Sequence, residues 1–175
     1  MRILLAPIAG QEADHLLALS DEYMASLYPA ESNHLVSSES LRTGDATFIG
    51  AFVATDSTPG PMTSGNSGEV GDPNGHECVG CVAARFYREQ AYAEIKRLYV
   101  AETHRGGGLA RQLMAAIEGD IVVQGIQCAR LEMGIYQPEA DALYRSLGYR
   151  DISPFGDYLP DPLSQFLEKS PLTPR

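Results

Sequence analysis

The chain contains no run of about 18 or more apolar residues, so a membrane-spanning helix is not expected. Basic residues are scarce: 13 Lys and Arg stand against 23 Asp and Glu, for a formal net charge of −10. They are also scattered, and a nucleic-acid surface, which neutralises phosphates with grouped cations, is not expected either. The acidic balance suits a cationic or amine substrate, though solubility alone also accounts for it. Cysteine is sparse too. Three is an odd number and makes no disulfide framework. Cys78 and Cys81 form one C-x-x-C without a second pair, so no metal site is expected. In the strand-like ECVGCVAARF, residues three apart point to opposite faces; the two thiols are expected to diverge and to act as small core residues. MRILLAPIAG has too short an apolar run for a secretory signal and reads as a first strand of a cytoplasmic protein.

What is present is enough for a folded domain. At 175 residues and 44% hydrophobic, residues 1–175 fit a single domain. Strand-like Arg2 to Ala6 leads into a helix over about Gln11 to Leu27, whose Leu16, Leu19, Tyr23 and Leu27 make an apolar stripe. Tyr28-Pro29 breaks it. A short helix around Ser38 to Thr43 and a strand over Ala46 to Thr55 follow. Residues 56–77 are dense in Gly, Pro, Ser, Asn and Asp and read as a long flexible loop with a solvated His76 at its end. Strands over Cys78 to Arg88 and Ala91 to Val100 flank a tight turn at Glu89-Gln90. A helix spans about Gly107 to Val123, Cys128 to Ile135 is a strand, and Pro138 opens a helix stopped at Gly148. Tyr149 to Ile152 and Gln165 to Glu168 close a mixed α/β fold.

The chemistry is concentrated in RLYVAETHRGGGLARQLM. A strand ending at Val100 meets Arg105, Gly106, Gly107 and Gly108, which open directly into a helix. Glycines let backbone approach a ligand without interference from Cβ. The free N–H groups of the first helical turn, at the positive end of the helix dipole, make an anion site suited to a pyrophosphate. A P-loop needs G-K-[ST], and this loop has Gly108-Leu109-Ala110 instead. A dinucleotide fingerprint needs a third Gly where Arg111 stands. The remaining pattern, [Q/R]-x-x-G-x-[G/A], is met by Arg105, Gly108 and Ala110.

With that loop, the segment from Ala93 to Tyr149 resembles the GCN5-related N-acetyltransferases (GNAT), most closely a group of small, mostly uncharacterised bacterial-type members. The resemblance implies a mixed, mostly antiparallel sheet, splayed at two central strands and flanked by about four helices. It implies acetyl-coenzyme A as donor, its pyrophosphate on Arg105, Gly106, Gly107, Gly108, Leu109 and Ala110. AEIKRLYV resembles the family's central strand, where main chain around Leu98 and Val100 would pair with the pantetheine arm. The N–H near Tyr99 would polarise the thioester. In LEMGIYQPEADALYRSLGY, Tyr144 matches the tyrosine that protonates the departing thiolate, a task a phenol can perform. Many members place an Asn after the second cofactor strand; here Gln137 stands in its place.

An ammonium must lose its proton before its nitrogen can attack, and Glu94 is the leading base, with Glu132 second. Glu94 could instead pair with Lys96 or Arg97. By position in the family, Glu31, Asn33, His34, Asp157 and Tyr158 would border the acceptor; Asn33 could equally cap a helix and Asp157 shape a turn. The expected reaction is direct acetyl transfer to a primary amine of a small molecule or amino acid, without a metal or a covalent enzyme intermediate. Another acyl-coenzyme A as donor, or a non-catalytic coenzyme A-binding module, are the alternatives. The resemblance also allows a homodimer.

Overall fold

The computed structural model describes residues 2–32, 36–54 and 75–173. Its seven strands form one sheet: β1 (Ile3–Pro7), β2 (Ala46–Ala54), β3 (His76–Tyr87), β4 (Tyr92–Val100), β5 (Ala129–Gly134), β6 (Arg150–Asp151) and β7 (Ser164–Lys169). Their order is β1-β2-β3-β4-β5-β7-β6. Every neighbouring pair is antiparallel except β4 and β5, which run parallel. The described helices are α1 (Asp14–Leu27), α2 (Ser38–Thr43), α3 (Leu109–Val123) and α4 (Pro138–Ser146). This is the mixed, mostly antiparallel α/β architecture expected.

The helices cover both faces of the sheet. On one, Leu113, Met114, Ile117 and Ile121 of α3 pack with Val79, Val82, Ile95, Leu131 and Leu167, joined by Tyr144 and Leu147 at α4. On the other, Leu16 and Leu17 of α1 and Leu41 of α2 cover Phe48, Phe52, Cys78, Cys81 and Ala83. Each such aliphatic side chain contributes about 1.5–3 kcal/mol on burial. The α1 stripe differs from expectation. Leu16, Leu17 and Ser20 are the buried residues of that helix, whereas Leu19 and Tyr23 are 47% and 39% exposed. The helix lies rotated from the stripe, because Leu17 and a small Ser20 meet the sheet more closely than the two bulkier side chains would.

Two irregularities in the sheet were not legible beforehand. Phe52 pairs with Cys78 and Ala51 with Gly80, leaving Val79 as an extra residue in β3. That bulge resets the side-chain alternation. Cys78 and Cys81 therefore share one face and one core cluster, contrary to the expected divergence. Both thiols are buried, and burial raises both, Cys78 to about 11. They are core residues, as expected. The second bulge is in β4: Ala83 pairs with Lys96 and Cys81 with Tyr99, so Arg97 and Leu98 together face Val82. Arg97 takes a left-handed backbone, φ 58°.

The loop expected over 56–77 ends sooner. His76 and Glu77 already pair with Ala54 and Val53, so His76 is a half-buried strand residue and not part of a loop. Residues 55–74 lie outside the described residues.

The decisive feature for the site is how briefly β4 and β5 stay together. Their register holds at Ala93–Ala129 and Glu94–Arg130, while β5 continues along β7 to Gly134. Past Glu94 the two central strands part.

Candidate active site

A cleft of about 110 Å3 lies in that gap. Ile95, Lys96, Arg97 and Leu98 line it from β4, and Glu132, Met133 and Gly134 from β5. Tyr144 and Gln137 close it from α4 and the residue before it, Met24 and Tyr28 from the end of α1. Arg97 builds one wall. Its Nε donates to the Val36 carbonyl at 2.7 Å and its guanidinium pairs with Asp21, tying α1 and the α1–α2 connection over the bulge. Tyr28 builds another. Its hydroxyl accepts from the Tyr136 N–H at 2.8 Å, and a Cβ on Gly134 would fall 2.1 Å from its ring. Sequence had marked Tyr28 only as the end of a helix.

Tyr144 faces the cleft and makes no hydrogen bond to any described residue. It is 7% exposed, and burial, with Glu132 adding repulsion, raises its phenol well above the ordinary value. It stays protonated at any physiological pH. Glu132 accepts from the Ser164 hydroxyl at 2.6 Å. The side-chain amide of Gln137 donates to the Met24 sulfur at 3.1 Å, at the N-cap of α4.

The glycine loop lies at the N-terminus of α3. Gly106 and Gly108 have φ of 79° and 78°, the region that favours glycine. Gly108 is the N-cap and no side chain caps the first turn, so the leading N–H groups of α3 remain open donors. A Cβ at Gly106, Gly107 or Gly108 would meet nothing within 4 Å, so the loop's outer surface is free to receive a ligand. Leu109 is buried and anchors the helix; Ala110 is half-buried. Arg105 folds back, its Nε donating to the Val100 carbonyl at 2.9 Å and its guanidinium over the Tyr99 ring at 5.4 Å. Val100's carbonyl is thereby occupied. The residues of β4 that reach the cleft are 95–98, before Tyr99 and Val100.

A second, larger cavity of about 680 Å3 adjoins the first and shares Ser32, Val36 and Lys96 with it. Glu94 sits in its wall, 2% exposed, on a strand that would otherwise be apolar there. Its carboxylate pairs with the Lys96 ammonium at 2.9 Å and accepts from the Tyr158 hydroxyl at 2.6 Å and the Tyr87 hydroxyl at 3.2 Å. Lys96 also donates to Tyr158 at 2.7 Å. Burial, then the Glu94 charge, raises both phenols, Tyr87 to about 12. Glu31 and Asp157 border the same cavity. Elements distant in sequence thus bring Glu31, Glu94, Asp157 and Tyr158 together. Asn33 and His34 lie outside the described residues.

Known proteins resemble this chain in sequence and fold. The acetyltransferase (GNAT) domain model matches residues 70–151. An IAA acetyltransferase of Azospirillum brasilense is 40% identical over 149 residues, covering 85% of this chain and 84% of that protein. The chain belongs to the GNAT acetyltransferase family. Solved GNAT structures superpose along nearly the whole chain. A Klebsiella pneumoniae protein assigned as an acyl-CoA N-acyltransferase has a TM-score of 0.71 and 29% identity, covering 98% of both chains. The PaiA N-acetyltransferase of Thermoplasma acidophilum, solved with coenzyme A, has a TM-score of 0.67 and 18% identity, covering 97% of this chain and 99% of that one. At that identity the second likeness speaks for the GNAT fold alone.

Proposed function

We propose that this GNAT protein transfers an acetyl group from acetyl-coenzyme A to a primary amine of a small molecule or amino acid, directly, with both substrates bound. The observation that carries the reading is the pair of adjoining cavities, with Tyr144 in one, Glu94 in the other and Lys96 at their junction. The donor fits the chain's own groups: open N–H donors at the α3 N-terminus, a glycine surface without side chains, and a cleft between parted strands.

In this reading the acceptor ammonium enters the larger cavity and loses a proton before attack. Glu94 is the final acceptor. Tyr158 already donates to it, so the phenol can pass its own proton to Glu94 and take one from the amine. The neutral nitrogen bonds to the thioester carbon, the carbon–sulfur bond breaks, Tyr144 gives its proton to the thiolate, and the second proton of the nitrogen, shed as the amide forms, returns through solvent to the phenolate. Each proton transfer of this kind contributes about 10²–10⁴-fold. Lys96, paired with Glu94 at 2.9 Å, holds its carboxylate in place.

The test is thiol release from acetyl-coenzyme A across a panel of amines and amino acids. Amine-dependent release with a matching acetylated product is expected. Release that needs protein but no amine would mean hydrolysis, and no release with any acceptor would refute amine acetylation.

A further inference from the structure

Arg85 in the acceptor cavity is used neither by the proposed reaction nor by the fold. Five arginines among the described residues are half-buried. Arg42 pairs with Asp14, Arg97 with Asp21, Arg130 with Glu168, and Arg145 with Asp141 and Asp151. Arg85 alone of the five has no hydrogen-bond or ion-pair partner among the described residues, and it lines the cavity. A guanidinium cannot shed its proton, so partial burial without a partner carries a solvation cost that a bound anion would offset. Its cross-strand neighbour is Glu94, whose carboxylate is engaged by Lys96, Tyr158 and Tyr87. The five donors of Arg85 are therefore available to a ligand.

Position gives this open fork a role. Arg85 stands opposite Glu94, and Ala83 opposite Lys96, where the acceptor cavity meets the donor cleft. Two residues of strand, about 7 Å, separate the two rungs. An acceptor lying along the floor can thus present its amine near Lys96 and Glu94 and an anionic group to Arg85. The charge balance selects the anion. Glu31, Glu94, Asp157 and Asp161 surround the space, and Lys96 is already neutralised. One free guanidinium matches the single charge and planar fork of a carboxylate, whereas a phosphate would carry an uncompensated second charge past these acids.

We propose that Arg85 binds a carboxylate of the acceptor, which makes the acceptor an amino-carboxylate such as an amino acid, and makes Arg85 a specificity-determining residue. The proposal rests on the larger cavity being the acceptor site of an amine acetyltransferase. Tyr87 and Tyr92, stacked at 4.8 Å beside Arg85 in the cavity wall, make aromatic probes suitable.

Acceptors should be compared in pairs that differ only by the carboxylate: phenylalanine with phenethylamine, and tyrosine with tyramine. The expected result is at least a tenfold preference in kcat/KM for the amino acid, expressed mainly in the acceptor KM. Arg85→Met brings the ratio to near one, and Arg85→Lys, with charge but no fork, gives an intermediate ratio. A variant that merely packs badly would lower both members of a pair alike and leave the ratio unmoved. Equal use of both members by the unaltered protein, a ratio that Arg85→Met leaves intact, or a preference for O-phosphoethanolamine over carboxylate-bearing amines would overturn the assignment. If no amine is acetylated, the broader reading fails, and calorimetry with N-acetylphenylalanine and N-acetylphenethylamine still decides about Arg85. Binding of the carboxylate alone, lost in Arg85→Met, supports it; no carboxylate-dependent binding overturns it.

Discussion

Replacing Glu94 with Gln perturbs stability and chemistry together, and the two can be separated. The Glu94 and Lys96 side chains are 3% and 12% exposed and 2.9 Å apart, so this is a buried ion pair. Removing one partner of such a pair costs about 3–5 kcal/mol, because the other charge is left uncompensated; removing both is close to neutral. Against a total of about 5–15 kcal/mol, either single change is a large loss. Glu94→Gln should lower stability by about 3 kcal/mol, and Lys96→Met by a similar amount. The double variant should be more stable than either single one, since the Gln carbonyl can still accept from Tyr158 and no ammonium remains. The coupling between the two positions should reach at least about 2 kcal/mol. The chain has no Trp, so urea unfolding is best followed by far-UV circular dichroism. Activity should behave differently. Glu94→Gln should lose about 10²–10⁴-fold in kcat, and the double variant should stay inactive despite its recovered stability. Strictly additive losses, or a Glu94→Gln protein of unchanged stability, would refute the buried-pair reasoning. A double variant with restored turnover would remove Glu94 as proton acceptor.

Tyr144→Phe should lower kcat by about 10²-fold or more while acetyl-coenzyme A still binds by calorimetry, since the hydroxyl lost has no hydrogen-bond partner among the described residues. Gly108→Ala forces a side chain to φ 78° and should cost about 1–2 kcal/mol and weaken the donor's affinity, whereas Gly107→Ala, which does not need a left-handed backbone, should keep the melting temperature. Gly134→Ala should destabilise by about 1–3 kcal/mol in urea, because its Cβ would overlap the Tyr28 ring, and Tyr28→Ala should relieve that clash. Tyr87, Tyr144, Tyr149 and Tyr158 all hold their protons to higher pH than tyrosines of an unfolded chain, chiefly through burial. Their contribution to stability is complete below the free value near 10 and falls as pH rises from there through about 12, the value for Tyr87. Melting curves at increasing alkaline pH, read with phenolate absorbance, check this.

What could be read beforehand was whatever a residue type dictates locally. Gly106 and Gly108 stand where left-handed backbone is needed, Pro138 at the start of α4 and Gly148, φ 97°, just past its end. The strand and helix periods between them set the order of elements around the donor cleft. What could not be read depends on how distant pieces meet. The bulges at Val79 and at Arg97–Leu98 leave no mark in composition, because Val and Arg are not the residues that favour irregular backbone. The buried face of α1 is not fixed by local spacing, because Leu19 and Tyr23 fit a helical stripe as well as Leu17 and Ser20 do, and only docking on the sheet chooses between them. Tyr28 and Arg85 carried no local signal; one becomes a cleft wall by lying on Gly134, the other is notable only because it lines the cavity with no hydrogen-bond or ion-pair partner among the described residues.

In the proposed reading, open N–H groups at the start of α3 and the gap between β4 and β5 together receive acetyl-coenzyme A. Titrating isotope-labelled protein with acetyl-coenzyme A and following amide resonances by NMR tests it most directly. Saturable shifts are expected at Gly106 to Arg111 and at Arg97 and Leu98, with little change at β1 or α2. Absence of binding, or shifts confined to other parts of the molecule, would contradict it.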